Sequence, residues 1–326
     1  MGKPEAHTIA GGCLSVDVVS LGILVADVIV KSVSTLPEKG KLTTVDSIDL
    51  SLGGCAANTA VGLSRLGYET MVIGAVGDYG LGDFIINMLM DEKIDTTGII
   101  HLENAATSVT TVLVSPDGDR SFLHFKGANA AFTADDLDLQ PLELARHLHV
   151  AGTFLMDAFD GHGAASVLKK AKEIGLTTSV DTAWDPSGRW WEIAAPMFDY
   201  IDIFLPSAEE ARMMSGEDNV REMARFFLSK GVNIVGIKQG ADGGYFRGGD
   251  NEIMLPALKV KVVDTTGCGD AFCAGFLAGY LDGMPLRECG RMAVTLGSLC
   301  ATGIGATGTL PTREQLENTL AGLSND

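Results

Sequence analysis

Asp264-Thr265-Thr266-Gly267-Cys268-Gly269-Asp270 runs straight into an apolar helical stretch, Ala271 to Leu281. Gly267 and Gly269 free the backbone to turn, so that successive N–H groups can converge on one point. The helix behind them adds its positive end to the same point, and such a terminus receives anions. Asp270 sets a carboxylate beside that anion site. The chemistry that needs both is proton removal from a hydroxyl as it attacks a phosphoryl group. The plainer reading is a helix N-terminus with a capping Asp.

A second glycine-rich turn lies upstream, Gly53-Gly54-Cys55-Ala56-Ala57-Asn58-Thr59-Ala60, and the stretch continues to Leu66-Gly67. It feeds a helix expected from about Ala57 to Leu66, stopped by Gly67. The glycine pair allows close approach of a ligand to the backbone. Asn58 offers donors and an acceptor to a polyol, or else it merely caps the helix.

With these two motifs the chain resembles the ribokinase-like (PfkB) carbohydrate kinase family, from about Asp17 to Leu320. The resemblance implies a three-layer α/β/α sandwich with a mostly parallel central sheet and a small β-sheet lid. It implies ATP-dependent transfer of the γ-phosphoryl group to a sugar-like hydroxyl, with Mg²⁺ and often K⁺ or Na⁺. On that analogy Asp270 is the base, and the amides of Gly267, Cys268 and Gly269 form the anion hole. Asp27, Gly53, Gly54 and Asn58 match the acceptor contacts.

The nucleotide side reads less directly. Val235 to Gly244 is a strand entering a glycine turn, where the family's nucleotide lies; Lys238, Gly240 and Gly243 belong to it. Lys238 could touch phosphate oxygens, or be a solvated lysine before a turn. Relatives carry Asn-x-x-Glu where this chain has Ser207-Ala208-Glu209-Glu210. Glu210 is retained and suits Mg²⁺ through water, whereas Ser207 departs from the pattern and puts a phosphate contact in doubt. Gly303-Ile304-Gly305-Ala306-Thr307-Gly308 imitates a dinucleotide fingerprint, but an apolar helical stretch precedes it and Pro311 follows. In the family this loop helps ring a monovalent cation, which Asp264, Thr266, Gly303, Gly305 and Thr309 would hold. There is no Walker A sequence.

Composition agrees. Among 326 residues, 46% are hydrophobic, enough for a sizeable core, in one large α/β domain or two small ones. A net charge of −18 argues against nucleic acid or an acidic membrane surface as partner. The six cysteines form no CxxC pair, no signal peptide opens the chain, and no apolar run is long enough to span a bilayer. Reduced thiols in a cytoplasmic protein are expected.

Strands expected at 18–24, 70–76, 147–152, 178–181, 201–205 and 234–238 alternate with helices at about 81–93 and 163–174, a parallel-sheet rhythm. Asp181 and Lys238 end strands and should face the site. Segments 25–30, 43–52 and 108–125 break the rhythm, the last through a Pro116-Asp117-Gly118-Asp119 turn. They read as the lid of one ribokinase-like domain spanning 1–326, with lid strands from about 25–52 and 108–126. Such lids pair in many relatives, so a homodimer through the lid is expected.

Phe122, His124 and Lys126 share one face of a lid strand. Lys126 stands where sugar-acid kinases of the family place a basic residue, or it is a lid-edge lysine that discourages strand pairing. A nucleoside kinase would want Phe122 and Phe125 to stack a base. A non-catalytic sugar or nucleotide sensor is the remaining alternative. His147 and His149 read as structural, and Trp190 and Trp191 as packing. Cys268 stands where relatives commonly have Ala; its helix N-terminus favours thiolate and the nearby Asp270 opposes it.

Overall fold

The computed structural model describes residues 16–78, 80–116 and 120–323. The strands are β1 (Val16–Gly22), β2 (Val25–Lys31), β3 (Ser47–Gly53), β4 (Thr70–Gly77), β5 (Asp95–Leu102), β6 (Val109–Val114), β7 (Arg120–Phe125), β8 (Ala145–Thr153), β9 (Thr177–Thr182), β10 (Ile203–Phe204), β11 (Ile234–Lys238), β12 (Gly244–Gly248) and β13 (Asn251–Leu255). Nine of them form one sheet in the order β13-β12-β11-β10-β9-β8-β1-β4-β5. It is parallel from β11 to β5, and the β12–β13 hairpin adds an antiparallel edge. The sequence reading had not resolved β5, β12 or β13 as strands.

Alternation along the central strands divides the interior in two. On β1, Val19 and Leu21 enter one apolar cluster and Val18 the other; on β4, Ile73 and Ala75 oppose Val72 and Val76. Helices His162–Glu173 and Val220–Leu228 cover the first face. Helices Cys55–Arg65, Cys268–Leu281 and Leu286–Cys300 cover the second. A parallel sheet buried on both sides needs apolar residues at both parities, and that is why its strands read as continuous apolar runs.

The four remaining strands form a second sheet, β3-β2-β6-β7. It grows directly from the end of β1, where the strand order reverses between β8 and β4, the place such sheets offer to ligands. Fully buried Asn129 pins its root: its side chain bonds the Leu24 N–H (3.1 Å) and carbonyl (3.0 Å) as a neighbouring strand would. In this sheet Asp27, Ser51, Thr110 and His124 lie across one row, and Ile29, Asp49, Val112 and Phe122 across the next same-face row. Ile29 and Val112 are buried, so this face looks inward, and Arg120 belongs to it. The opposite face carries exposed Ile48, Leu50, Leu123 and Phe125. The expected turn at 116–119 falls largely outside the described residues.

Candidate active site

Two helices on one face of the large sheet build the centre of the site. Gly62 meets Ala274 so closely that a Cβ on Gly62 would lie 2.7 Å from the Ala274 Cβ. At that approach Asn58 Nδ2 donates to Asp270 Oδ2 at 2.8 Å. The helix begins at Cys268, three residues earlier than the apolar run suggested, so Cys268, Gly269 and Asp270 form its first turn. Its N-cap, Gly267, has φ +75°, and a Cβ there would sit 2.5 Å from Ala306. A side chain is thus excluded on both grounds.

Burial raises the Asp270 carboxyl above its usual range, although Asn58, Lys238 and the Cys55 thiol favour its ionised form. Lys238 lies beneath the turn: a Cβ on Gly269 would be 3.4 Å from its Nζ. Its ammonium bonds Asp181, the next-to-last residue of β9. Burial opposes the Lys238 charge, but the neighbouring Asp181 and Glu210 outweigh it and raise its pKa. Both strand-end residues therefore reach the centre, as a pair. Breaking so buried a pair from one side costs about 3–5 kcal/mol.

Asp27 comes from the root of the small sheet and is 8% exposed. A Cβ on Gly53 would lie 2.2 Å from its Oδ2, so this glycine makes room for the carboxylate. Gly54 has φ +95°, with the Ile23 carbonyl 2.4 Å from where a Cβ would be. Burial pushes Asp27 up to about 6, against a hydrogen bond from Thr110.

Several expected nucleotide and metal residues have other employment. Ser207 is the N-cap of helix Ala208–Ser215, in a reciprocal capping box with Glu210: its Oγ accepts from the Glu210 N–H at 3.3 Å. The cap uses this hydroxyl as an acceptor only, which leaves its O–H to donate elsewhere. Glu210 Oε2 accepts from the Ser207 N–H (2.9 Å) and the Thr182 hydroxyl (2.8 Å). Gly243 has φ +95° and passes 2.0 Å, measured to a built Cβ, from the Leu255 carbonyl, so hairpin geometry alone requires it; Gly240 stands in the open. No group of three or more His, Cys, Asp or Glu among the described residues could hold a metal ion. An Mg²⁺ would come with phosphates and waters, its common mode, and anchored Glu210 fits a water-mediated partner.

The monovalent-cation set is only partly assembled. Asp264 accepts from the Thr266 N–H (2.8 Å) and the Gly305 N–H (2.9 Å). Gly303 and Thr309 pack on each other, and the Thr309 hydroxyl donates to the Leu299 and Cys300 carbonyls. The positive charge on Asp264 is that of Arg120, which also donates to the Thr266 hydroxyl at 2.8 Å. A monovalent cation here would share the Asp264 and Thr266 oxygens with Arg120 and draw its other ligands from main-chain carbonyls. Arg120 itself was missed by sequence reasoning; only its parity with Phe122 and His124 could have drawn attention to it.

Lys126 Nζ bonds Asp157 at 2.6 Å. With Asp160, Asp185 and Arg189 the two line a cleft of about 350 Å³ beyond β8 and β9. Trp190 is buried edge-on to Phe154 and Trp184, and Trp191 against Phe198 and Phe226, as packing residues. Cys268 is half-buried; a hydrogen bond from Cys300 lowers its pKa despite burial and the nearby carboxylates.

A family model for the pfkB family carbohydrate kinases matches residues 16–313. The chain belongs to this family. It is 31% identical over 300 residues to the 2-dehydro-3-deoxygluconokinase of Bacillus subtilis (strain 168), covering 87% of this chain and 91% of that one. To the deoxyribokinase of Salmonella typhi it is 24% identical, covering 94% and 99%. The structure of Arabidopsis thaliana ribokinase complexed with ribose and ATP superposes with a TM-score of 0.81 at 25% identity, covering 94% of this chain and 99% of that one. This pfkB-family chain is accordingly an ATP-dependent kinase that phosphorylates a hydroxyl of a sugar.

An Asp27 that binds acceptor hydroxyls must be ionised to accept their hydrogen bonds. With its pKa raised to about 6, kcat/KM for the acceptor is expected to fall as pH drops through that value, and to level off above it. A profile that stays flat through pH 6 would remove Asp27 from acceptor binding.

Proposed function

We propose that Asp270 is the general base of an in-line phosphoryl transfer to a sugar hydroxyl. The observation that carries this is the Asn58–Asp270 contact at the head of helix Cys268–Leu281, beside the amides of residues 267–269. Those amides would hold the transferring charge, and Asp270 would take the hydroxyl proton. Asn58 orients the carboxylate, and its buried Oδ1, without a protein partner, is free for a donor on the acceptor. Asp27 would bind another acceptor hydroxyl. Mg²⁺ bound with ATP would supply charge at the phosphates, held through water by Glu210. Lys238 is poised beneath the same amides. Arg120 would tie the small sheet to the anion-hole turn, closing the cleft against water.

For the acceptor we infer a sugar bearing an anionic or strongly polar substituent. Lys126 supports this: it faces the 350 Å³ cleft with Arg189. The nucleoside alternative is weaker than the sequence suggested, because Phe125 lies on the outward face and of the two only Phe122 shares the inward face with His124. The whole chain would act as one ribokinase-like domain with the small sheet as its lid. Exposed Ile48, Leu50, Leu123 and Phe125 support a homodimer through that lid, since a small sheet needs its apolar face covered. Free thiols at all five described cysteines support a reducing, cytoplasmic setting.

Asp270→Asn keeps the shape and the Asn58 contact but cannot take a proton. Turnover is expected to fall at least ~10²-fold with little change in ATP binding; near-normal turnover would refute the base assignment. A panel of sugars, sugar acids and nucleosides, scored by ATP consumption, identifies the acceptor. With that acceptor Lys126→Met should raise its KM and spare the KM for ATP, whereas equal effects on both would mark Lys126 as a lid-edge residue. Leu123→Glu should convert a dimer to monomer in light scattering; a monomeric parent protein would dispose of the lid interface.

A further inference from the structure

Cys268 and Cys300 come from the facing ends of two packed helices, Cys268 opening the one and Cys300 closing the other, so that the Cys300 thiol lies near enough to lower the Cys268 pKa. The Cys300 thiol also contacts the carbonyls of Thr266 (3.5 Å) and Ala306 (3.3 Å), so it touches both walls of the anion-hole turn. The two backbones are equally close elsewhere: a Cβ on Gly297 would lie 3.2 Å from the Cys268 carbonyl. Cys268 is partly open to solvent, whereas Cys300 is buried.

We propose that Cys268 and Cys300 form a reversible disulfide that switches the anion hole off. This rests on the kinase reading above and adds regulation to the same site. With a peroxide as oxidant, the Cys268 sulfur attacks the O–O bond and becomes a sulfenic acid, and one water leaves. The Cys300 sulfur then attacks that sulfur; the S–S bond forms, the S–O bond breaks, and a second water leaves. Two thiols have lost two protons and two electrons to the peroxide, and a dithiol reductant reverses the change. An S–S bond near 2.05 Å is far shorter than a thiol hydrogen bond. Closing it draws Cys268 toward the neighbouring helix and out of its place in the first turn of its own helix. The amides of residues 267–269 then no longer converge on one point.

The test treats the intact protein with hydrogen peroxide, maps peptides without reduction, and follows a fluorescent ATP analogue together with turnover. A 268–300 cross-link is expected, with about 10²-fold lower turnover, the scale of losing one anion-hole donor, weaker analogue binding, and recovery in dithiothreitol. Cys300→Ala should keep basal turnover and resist the oxidant; Cys300→Ser should behave alike if the first variant folds poorly. The proposal is overturned if no such cross-link forms, if it forms without altering analogue binding, or if Cys300→Ala is inactivated as fast as the parent. Cross-link mapping and analogue binding need no acceptor, so a failed kinase reading would show separately, as absent turnover in the fully reduced protein.

Discussion

The close contact of helix Cys55–Arg65 with helix Cys268–Leu281 is the constraint on which the site depends. It rests on two small residues, Gly62 and Ala274, whose lack of bulk lets the helix surfaces meet. Both helices cover the same face of the large sheet, and both start at that sheet's ligand-binding end. Close approach at mid-helix therefore becomes contact between Asn58 and Asp270 at the N-terminal ends. Any bulk added at Gly62 would part the helices and the Asn58–Asp270 pair together.

Charge is concentrated around this contact, and its balance shapes the chemistry. Asp27, Asp181 and Asp270 are all buried, and burial raises each of them. Lys238 is the compensating cation, bonded to Asp181 and placed under Gly269. Without it, three buried carboxyls would stand together uncompensated. On the lid side Arg120 does the same for Asp264. Both cations are held by protein carboxylates, so each can share its charge with an arriving phosphate without leaving its position.

The small sheet is fastened at two points of different character. Asn129 bonds the Leu24 backbone at the root and is fully buried. Arg120 reaches from the far strand to the Asp264–Thr266 turn through charged hydrogen bonds. The root suits a permanent attachment, since unmaking it would leave buried polar groups unsatisfied. The Arg120 end suits one that opens, because a guanidinium released there finds water.

Much of this was written locally in the chain. The Gly267–Asp270 turn, the Gly53-Gly54 pair and the βα rhythm follow from short-range rules: glycine where φ is positive or space is short, an acid in a helix's first turn, apolar runs for a doubly covered sheet. The central strands and helices accordingly lay within a few residues of where sequence placed them. Tertiary structure decided what depends on long-range partners. That the Ser207 hydroxyl also caps a helix appears only with the capping box it forms with Glu210. That Thr309 packs on Gly303 and bonds helix carbonyls appears only in the folded chain. Arg120 carried no local motif, because its meaning lies in Asp264, far along the chain and on another element. Cys268 and Cys300 were unrelated thiols until packed helices joined them. Backbone conformation is fixed by neighbours in sequence and can be read there; a side chain's partner is fixed by neighbours in space, and only the packed sheet and helices supply those.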